Sequence, residues 1–260
     1  MRIIIRLRRL LYKNAVNLRS VLVLCRDLFM PRGRQNRFDL VKGTKSQAGQ
    51  ESFVQSVTQK IQDKYYLEIG SGHPKNDSNT YQLEKQFQWR GVSIDFDKAL
   101  CTEFAKVRKN PVYVKDATTT NYEYLLSHEN APKVISYLQI DVHPPETSYE
   151  VLQKIPFDNY LFATITFEHD SYVANKNLKI AKNARDFLKS RGYLLVGEDI
   201  KIFGWSFEDW WIHPKLVDFV DYQSFVSVKV NGVSLFSKKS QLQHMVNFSV
   251  SKFLNFSIFK

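Results

Sequence analysis

The stretch that decides the fold reads YYLEIGSG at residues 65–72. An apolar run, interrupted only by Glu68, ends at two glycines, Gly70 and Gly72. Glycine is favoured where a chain bends sharply after a strand and where the backbone must approach a ligand. A second apolar run, at residues 91–95, ends in the carboxylate of Asp95. The two runs predict neighbouring strands whose carboxyl ends share one ligand site.

Apolar runs recur along the next part of the chain at regular spacing. The strand candidates are 65–69, 91–95, 112–114, 134–141, 161–167 and 193–196, and the helix candidates between them are 78–88, 97–108, 120–127, 147–154 and 176–190. This alternation indicates a parallel sheet with helices on both faces. Only a short stretch containing Gly204 separates residues 193–200 from 207–212, which favours a hairpin there. We therefore predict an α/β, Rossmann-like, seven-stranded sheet, mostly parallel with one antiparallel strand.

Polar side chains follow nearly every predicted strand. The carboxyl ends of parallel strands meet at one edge of a sheet, and ligands bind beyond that edge. Acidic residues are also common at helix caps, and any one of these could have only that role. Their number favours a site instead. The residues are Glu68, Asp95, Asp116, Asp141, Glu168, His169 and Asp170.

The positive charge of the chain is concentrated at its N-terminus. The net charge is +11, and residues 1–37 contain ten Lys or Arg residues and one acid, so they carry nine of these charges. A nucleic-acid enzyme spreads its cationic residues over the binding groove. We therefore expect no nucleic-acid partner.

The first 30 residues show apolar positions spaced at about 100° per residue, the period of an amphipathic helix. This basic helix either rests on an anionic membrane surface or packs on the domain or on a second subunit. No run approaches the roughly 20 apolar residues of a membrane span. No signal cleavage site is found, which predicts a cytoplasmic protein; the membrane alternative would place it at the inner face of a membrane. Cys25 and Cys101 show no disulfide or metal pattern, which fits a reducing compartment.

Three regions are predicted from these patterns. Residues 1–50 form the basic helix and a polar linker, and residues 51–215 form the α/β domain. Residues 216–260 form an aromatic-rich extension. Such an apolar extension is costly to leave in water, so we expect it to pack on the domain or across a homodimer.

The glycine turn resembles the E-x-G-x-G first motif of enzymes that use S-adenosylmethionine. A dinucleotide site would have a third glycine, but His73-Pro74-Lys75 follows Gly72 here. The resemblance implies that the turn of Gly70, Ser71 and Gly72, with Glu68 before it, lies under the adenosine and methionine portions of the cofactor.

The same resemblance assigns the other cofactor contacts. Asp95 would bind the ribose hydroxyls, and Asp116 would lie near the adenine amino group. Asn79 and Thr80 would meet the methionine carboxylate.

Four later segments resemble the FkbM-type methyltransferases: residues 137–146, 165–170, 191–196 and 207–211. The resemblance covers roughly residues 60–215. Members of that family methylate oxygen, often on sugars. It therefore implies an S-adenosylmethionine-dependent O-methyltransferase acting on a carbohydrate or glycosylated acceptor.

One departure from the family pattern keeps a second hypothesis open. His143-Pro144-Pro145 replaces an acidic-glycine pair, so the chain could instead be an inactive binding or scaffolding protein. An N-methyltransferase for nucleic acid or protein is less favoured. Its D/N-P-P motif ends in an aromatic residue, whereas Asp141 is not adjacent to the prolines here and Glu146 replaces the aromatic residue.

Methylation of a hydroxyl needs a general base or a metal ion. The candidates for the reacting centre are Asp141, His143, Glu168 and His169. Histidine titrates near neutral pH, although a buried histidine bonded to a carboxylate is a common structural feature. Asp141 and Glu168 end neighbouring strands and could hold Mg²⁺ through oxygen ligands.

The segment 205–213 contains three of the four tryptophans and two acids. Aromatic faces stack on sugar rings, and carboxylates bind hydroxyl groups. We therefore expect Glu208 and either Trp210 or Trp211 to contact the acceptor. The alternative is that these tryptophans pack in the core. Successive side chains of a strand point to opposite faces, so Trp210 and Trp211 cannot both pack on the same face.

Overall fold

The computed structural model describes residues 43–202, 205–218 and 221, and the backbone of 229–230 and 233–234. The predicted amphipathic helix, most of the linker and most of the C-terminal extension lie outside these residues. Within the described part of the chain, no helix is both long enough and apolar enough to cross a membrane.

The described helices and strands follow the predicted alternation. The helices are α1 (Gln50–Val57), α2 (Tyr81–Phe87), α3 (Lys98–Val107), α4 (Tyr122–His128), α5 (Pro145–Lys154) and α6 (Asn175–Ser190). The strands are β1 (Tyr65–Ile69), β2 (Arg90–Asp95), β3 (Val112–Val114), β4 (Val134–Ile140), β5 (Leu161–Glu168), β6 (Leu194–Ile202), β7 (Trp205–Ile212), β8 (Lys229–Val230) and β9 (Val233–Ser234).

The first seven strands form one sheet in the order β3-β2-β1-β4-β5-β7-β6. The neighbours from β3 to β5 pair in parallel. Strand β7 lies between β5 and β6 and is antiparallel to both. This is the Rossmann-like class I methyltransferase fold, as predicted. Because these strands are parallel, the carboxyl ends of β1, β2, β4 and β5 lie at the same edge of the sheet.

Hydrophobic clusters cover both faces of the sheet because successive side chains of a strand point to opposite faces. Tyr65 and Leu67 belong to a cluster on one face, whose helical members come from α4, α5 and α6. Tyr66 belongs to the other cluster, with residues of α1 and α2. Burial on both faces explains why the strands read as nearly continuous apolar runs.

The segment just before residue 51 was predicted to be the end of the linker, but it makes contacts within the domain. Glu51 is fully buried, and its Oε2 accepts hydrogen bonds from the backbone N–H groups of Lys45 and Ser46 at 2.9 and 3.0 Å. The side chain of Gln50 is also buried. The segment was predicted to be a linker because its composition is polar, but its polar groups form hydrogen bonds within the domain.

Candidate functional site

The two glycines in the turn after β1 have different surroundings. Gly70 has φ +80°, and a Cβ there would lie 1.9 Å from the backbone oxygen of Asp141. Gly72 has φ +58°, and a Cβ there would meet no heavy atom within 4 Å among the described residues. Gly70 is therefore required for packing against the end of β4. Gly72 leaves open space at the edge of the sheet.

Asp95, at the end of β2, faces this turn. Its Oδ2 accepts a hydrogen bond from the backbone N–H of Gly72 at 2.7 Å, and its Oδ1 accepts one from Asp97 at 2.8 Å. The carboxylate thus fixes the glycine turn while remaining half-buried. Asp116 follows β3 and is exposed, and its Oδ1 accepts hydrogen bonds from the hydroxyl and the backbone N–H of Thr118. These bonds hold the pKa of Asp116 below its usual range.

Glu68 and Thr80 are positioned differently from the sequence prediction. Glu68 is 1% exposed, and its two oxygens accept hydrogen bonds from Thr80 Oγ1 at 2.8 Å and Ser93 Oγ at 2.6 Å. Burial raises the pKa of the Glu68 carboxyl to about 7, although Arg108 opposes this shift. The side chains of Glu68 and Thr80 therefore have partners within the protein, and their predicted contact with a cofactor stays a prediction. These residues join the loop of residues 73–80 to the end of β1.

Ser71 and Asn79 have the properties expected of ligand contacts. They are 7% and 6% exposed, and Ser71 Oγ and Asn79 Oδ1 have no hydrogen-bond partner among the described residues. Leaving a buried polar atom unsatisfied costs about 1–3 kcal/mol. A bound polar ligand would remove this cost, so both atoms fit a cofactor site beside Gly72.

The ends of β4 and β5 bring together three of the predicted reacting residues. Asp141, His143 and Glu168 each place a ligand-type atom within 4.8 Å of those of the other two. His143 Nε2 lies 3.6 Å from Glu168 Oε1, and His143 Nδ1 lies 3.7 Å from Asp170 Oδ2. The imidazole is 41% exposed, whereas the carboxylates are buried. A half-exposed imidazole between two carboxylates can accept a proton from a substrate and be stabilised as the cation.

His169, the fourth predicted reacting residue, does not face this cluster. It is 0% exposed, and its Nδ1 accepts a hydrogen bond from the backbone N–H of Ser171 at 3.2 Å. Its Nε2 lies 3.4 Å from Asp209 Oδ1 and 3.7 Å from Asp199 Oδ1. The prediction that His169 acts at the reacting centre is therefore wrong. Its ring is enclosed beneath the turn that follows β5.

The predicted acceptor contacts are also wrong. Trp210 and Trp211 are both 0% exposed, one in each of the two hydrophobic clusters. Trp210 stacks on Phe53 with ring centroids 4.6 Å apart and donates its Nε1–H to Glu208. Glu208 is buried and also accepts a hydrogen bond from Gln50. The tryptophans do lie on opposite faces, as strand geometry requires, but helices cover both faces.

Arg185 and Asp209 form an ion pair beside His169, and neither was predicted from sequence. Arg185 Nε and Nη2 donate to the two oxygens of Asp209 at 2.7 and 2.9 Å, and Nη2 also donates to Asp199 at 2.8 Å. Burial alone would raise the pKa of Asp209, but His169 and Arg185 hold it below its usual range. The Arg185 guanidinium thus supplies a cation beside Asp199 and Asp209.

A sequence signal for Arg185 did exist. On a helix, residues three and four apart share a face. Ala181 and Leu188 lie at these spacings from Arg185, and both are buried. An arginine on the apolar face of α6 indicates a buried ionic partner.

Comparisons with known proteins do not identify a family for this chain. No protein-family model matches the chain, and no curated protein matches it. Its structure is similar to that of a TehB-like SAM-dependent methyltransferase from Corynebacterium glutamicum, with 12% identity, a TM-score of 0.39 and coverage of 63% of this chain and 86% of that one.

Two further solved structures are similar. The plantazolicin methyltransferase BpumL, solved in complex with SAH, has 18% identity and a TM-score of 0.43, with coverage of 64% of this chain and 82% of that one. A SAM-dependent methyltransferase from Archaeoglobus fulgidus has 16% identity and a TM-score of 0.35, with coverage of 73% and 78%. At these values we infer no substrate from them, and the strand order observed here defines the fold.

Proposed function

We propose that this protein binds S-adenosylmethionine at the carboxyl edge of its sheet and transfers the methyl group to a hydroxyl acceptor. The observation that carries this proposal is the glycine turn. Gly72 faces open space beside the Asp95 carboxylate, and the buried atoms Ser71 Oγ and Asn79 Oδ1 lack partners among the described residues. An adenosyl amino acid offers hydroxyl, ammonium and carboxylate groups that suit these atoms.

We assign each of these residues a partner on the cofactor. Asp95 accepts hydrogen bonds from the ribose hydroxyls, and Asp116 lies toward the adenine. Asn79 Oδ1, a hydrogen-bond acceptor, receives an N–H from the cofactor ammonium group. Ser71 Oγ can donate to its carboxylate.

The residues at the ends of β4 and β5 then act on the acceptor. When bound, S-adenosylmethionine supplies a methyl group activated by its positive sulfur. His143 accepts the proton of the acceptor hydroxyl, and Glu168 and Asp170 stabilise the imidazolium that results. Asp141 and Glu168 have the oxygen ligands that Mg²⁺ prefers, and Mg²⁺ held there would stabilise the negative charge that develops on the acceptor oxygen.

A sugar hydroxyl is the acceptor that we propose. The resemblance of residues 137–146 and 165–170 to FkbM-type enzymes supports this class, and the cluster at the strand ends has the polar atoms that hydroxyl groups bind. The aromatic residues first expected to stack on a sugar are buried, so the proposal does not depend on them.

Transfer of a labelled methyl group tests the proposal. The full-length protein is incubated with S-adenosylmethionine carrying a ¹³C methyl group and with mixed oligosaccharides, with and without Mg²⁺. We expect a new O-methyl signal by NMR. We expect His143→Gln to reduce its rate about 100-fold, since positioned bases contribute about 10²–10⁴. His128→Gln, on the exposed end of α4, is the matched control and should leave the rate unchanged.

Other outcomes would favour other functions. An N-methyl product would indicate a different acceptor class. Cofactor binding without transfer to any hydroxyl would support the scaffolding hypothesis. An undiminished rate in His143→Gln would remove His143 from the mechanism.

A further inference from the structure

Arg108, just after α3, has a fully buried side chain. A guanidinium group has five N–H donors, and here five hydrogen bonds match them. The Nε–H donates to Glu84 Oε2 at 2.6 Å. The other acceptors are Pro74 O at 3.2 Å, Ser78 Oγ at 3.3 Å, Tyr66 Oη at 3.0 Å and Thr80 Oγ1 at 2.9 Å.

Three of these five acceptors belong to the loop of residues 73–80. This loop connects the glycine turn to α2 and carries Asn79, whose Oδ1 has no partner among the described residues. Thr80 accepts from Arg108 and donates to Glu68, which fixes the end of the loop against β1. Arg108 thus makes three of the hydrogen bonds that hold the loop around Asn79.

Stability alone gives little reason to bury this arginine. Removing a cation from water is expensive, and apolar replacements of buried ion pairs are often neutral or stabilising. Glu84 is the carboxylate that pairs with Arg108, and its other oxygen accepts the backbone N–H of Lys109 at 2.6 Å. What the guanidinium provides is geometry, since its planar fork holds several acceptors in fixed positions.

We propose that Arg108 is a positioning residue for the amino-acid end of the cofactor. It does not touch the cofactor. It holds the loop so that Asn79 Oδ1 meets the ammonium group. This inference rests on the proposed function, because it concerns how that cofactor is recognised.

Two ligands separate this role from a general structural one. S-adenosylhomocysteine has the amino-acid end, whereas 5′-methylthioadenosine has the same adenosine and thioether without it. Both are titrated calorimetrically into the full-length protein and into Arg108→Lys, which retains the charge beside Glu84 but not the fork. We expect the variant to bind S-adenosylhomocysteine at least about tenfold more weakly, because correctly placed hydrogen bonds are lost. Binding of 5′-methylthioadenosine should change less than about threefold.

A second pair of variants keeps the test decisive if Arg108→Lys does not fold. Thr80→Val removes the hydroxyl that links Arg108 to Glu68, and Thr80→Ser restores it. We expect the same selective loss in Thr80→Val and recovery in Thr80→Ser. Arg90→Lys is the matched control, because Arg90 is an exposed arginine paired with Asp63 at the opposite edge of the sheet.

The outcomes distinguish this inference from the proposed function. If the unmodified protein binds neither ligand, the proposed function fails and the inference fails with it. If a variant weakens both ligands equally, or neither, the positioning role is overturned while the proposed function stands. Only a selective loss for S-adenosylhomocysteine supports the inference.

Discussion

Glu68 shows how the environment of one residue decides its role. Its sequence position within the glycine motif suggests a cofactor contact, yet its carboxyl group is buried and bonded to Thr80 and Ser93. Burial raises the pKa of this group to about 7 from an ordinary value of 4.5. The folded protein therefore holds a proton at Glu68 over a pH range in which the unfolded chain has lost it.

A pH-dependent stability follows from Glu68. Its contribution is fully present below pH 4.5 and is lost as the pH rises to about 7, at about 1.4 kcal/mol per pH unit between these values. We expect Glu68→Gln, which stays neutral, to lose less stability than the unmodified protein between about pH 5 and pH 8. Urea unfolding at the two pH values measures this.

The control for this prediction is Glu103→Gln, which changes an exposed glutamate on α3. It should keep the pH dependence of the unmodified protein. Equal pH dependence in Glu68→Gln and the unmodified protein would show that Glu68 is ionised when folded throughout this range.

At the scale of elements, the turn after β5 connects two groups of side chains. One is the cluster of Asp141, His143 and Glu168, and the other is the buried ionic network of His169, Arg185 and Asp209. Glu168 and Asp170 flank His143, while His169 between them points to Asp209. The backbone N–H groups of His169 and Asp170 both donate to the carbonyl of Phe207 in β7. Strand β7 and helix α6 therefore hold the residues that β5 presents at the sheet edge.

Breaking this network should cost stability. Asp209→Asn removes the buried carboxylate that pairs with Arg185, which is largely buried, and leaves only the more exposed carboxylates of Asp199 and Glu198 beside the guanidinium. Removing one partner of a buried ion pair costs about 3–5 kcal/mol. We expect a loss of that size in the free energy of urea unfolding. Asp186→Asn, an exposed acid on the same helix, should change it by less than about 1 kcal/mol.

A loss below about 1 kcal/mol in Asp209→Asn would show that the network contributes little to stability. Contacts other than this network would then have to hold the turn after β5 in place.

The elements themselves could be predicted from sequence almost completely. Strand β1 has the predicted bounds, and the hairpin of β6 and β7 lies where Gly204 indicated. The environment of the strand faces could not be predicted. The alternation of Trp210 and Trp211 was recognised, but a single sequence does not show that helices cover both faces of β7. Helix α2 begins at Tyr81, later than predicted, because residues 73–80 form a braced loop.

At the scale of the whole molecule, the edge of the sheet where we propose the site could be predicted from sequence. The ends of β1, β2, β4 and β5 carry the predicted polar residues. The supporting residues were not predicted because they act across distances in sequence that no local pattern records. Arg108 lies 28 residues from Thr80 and 42 from Tyr66, its hydrogen-bond partners.

The remaining predictions concern regions outside the described residues. Membrane contact through residues 1–30, packing of the extension at 216–260, a homodimer and a location at the inner face of a membrane stay predictions from sequence. The concentration of nine positive charges in residues 1–37 is the observation that supports contact with an anionic surface.

The measurement that tests the central claim most directly is calorimetric titration of S-adenosylhomocysteine into the full-length protein, Gly72→Ala and Gly192→Ala. Both glycines have positive φ and open space around a Cβ, so each substitution should cost about 1–2 kcal/mol of stability. Only Gly72 faces the proposed cofactor. We predict micromolar binding to the unmodified protein and to Gly192→Ala, and affinity at least about tenfold weaker for Gly72→Ala. No binding to the unmodified protein, or equal binding to Gly72→Ala, would contradict a cofactor site at this turn.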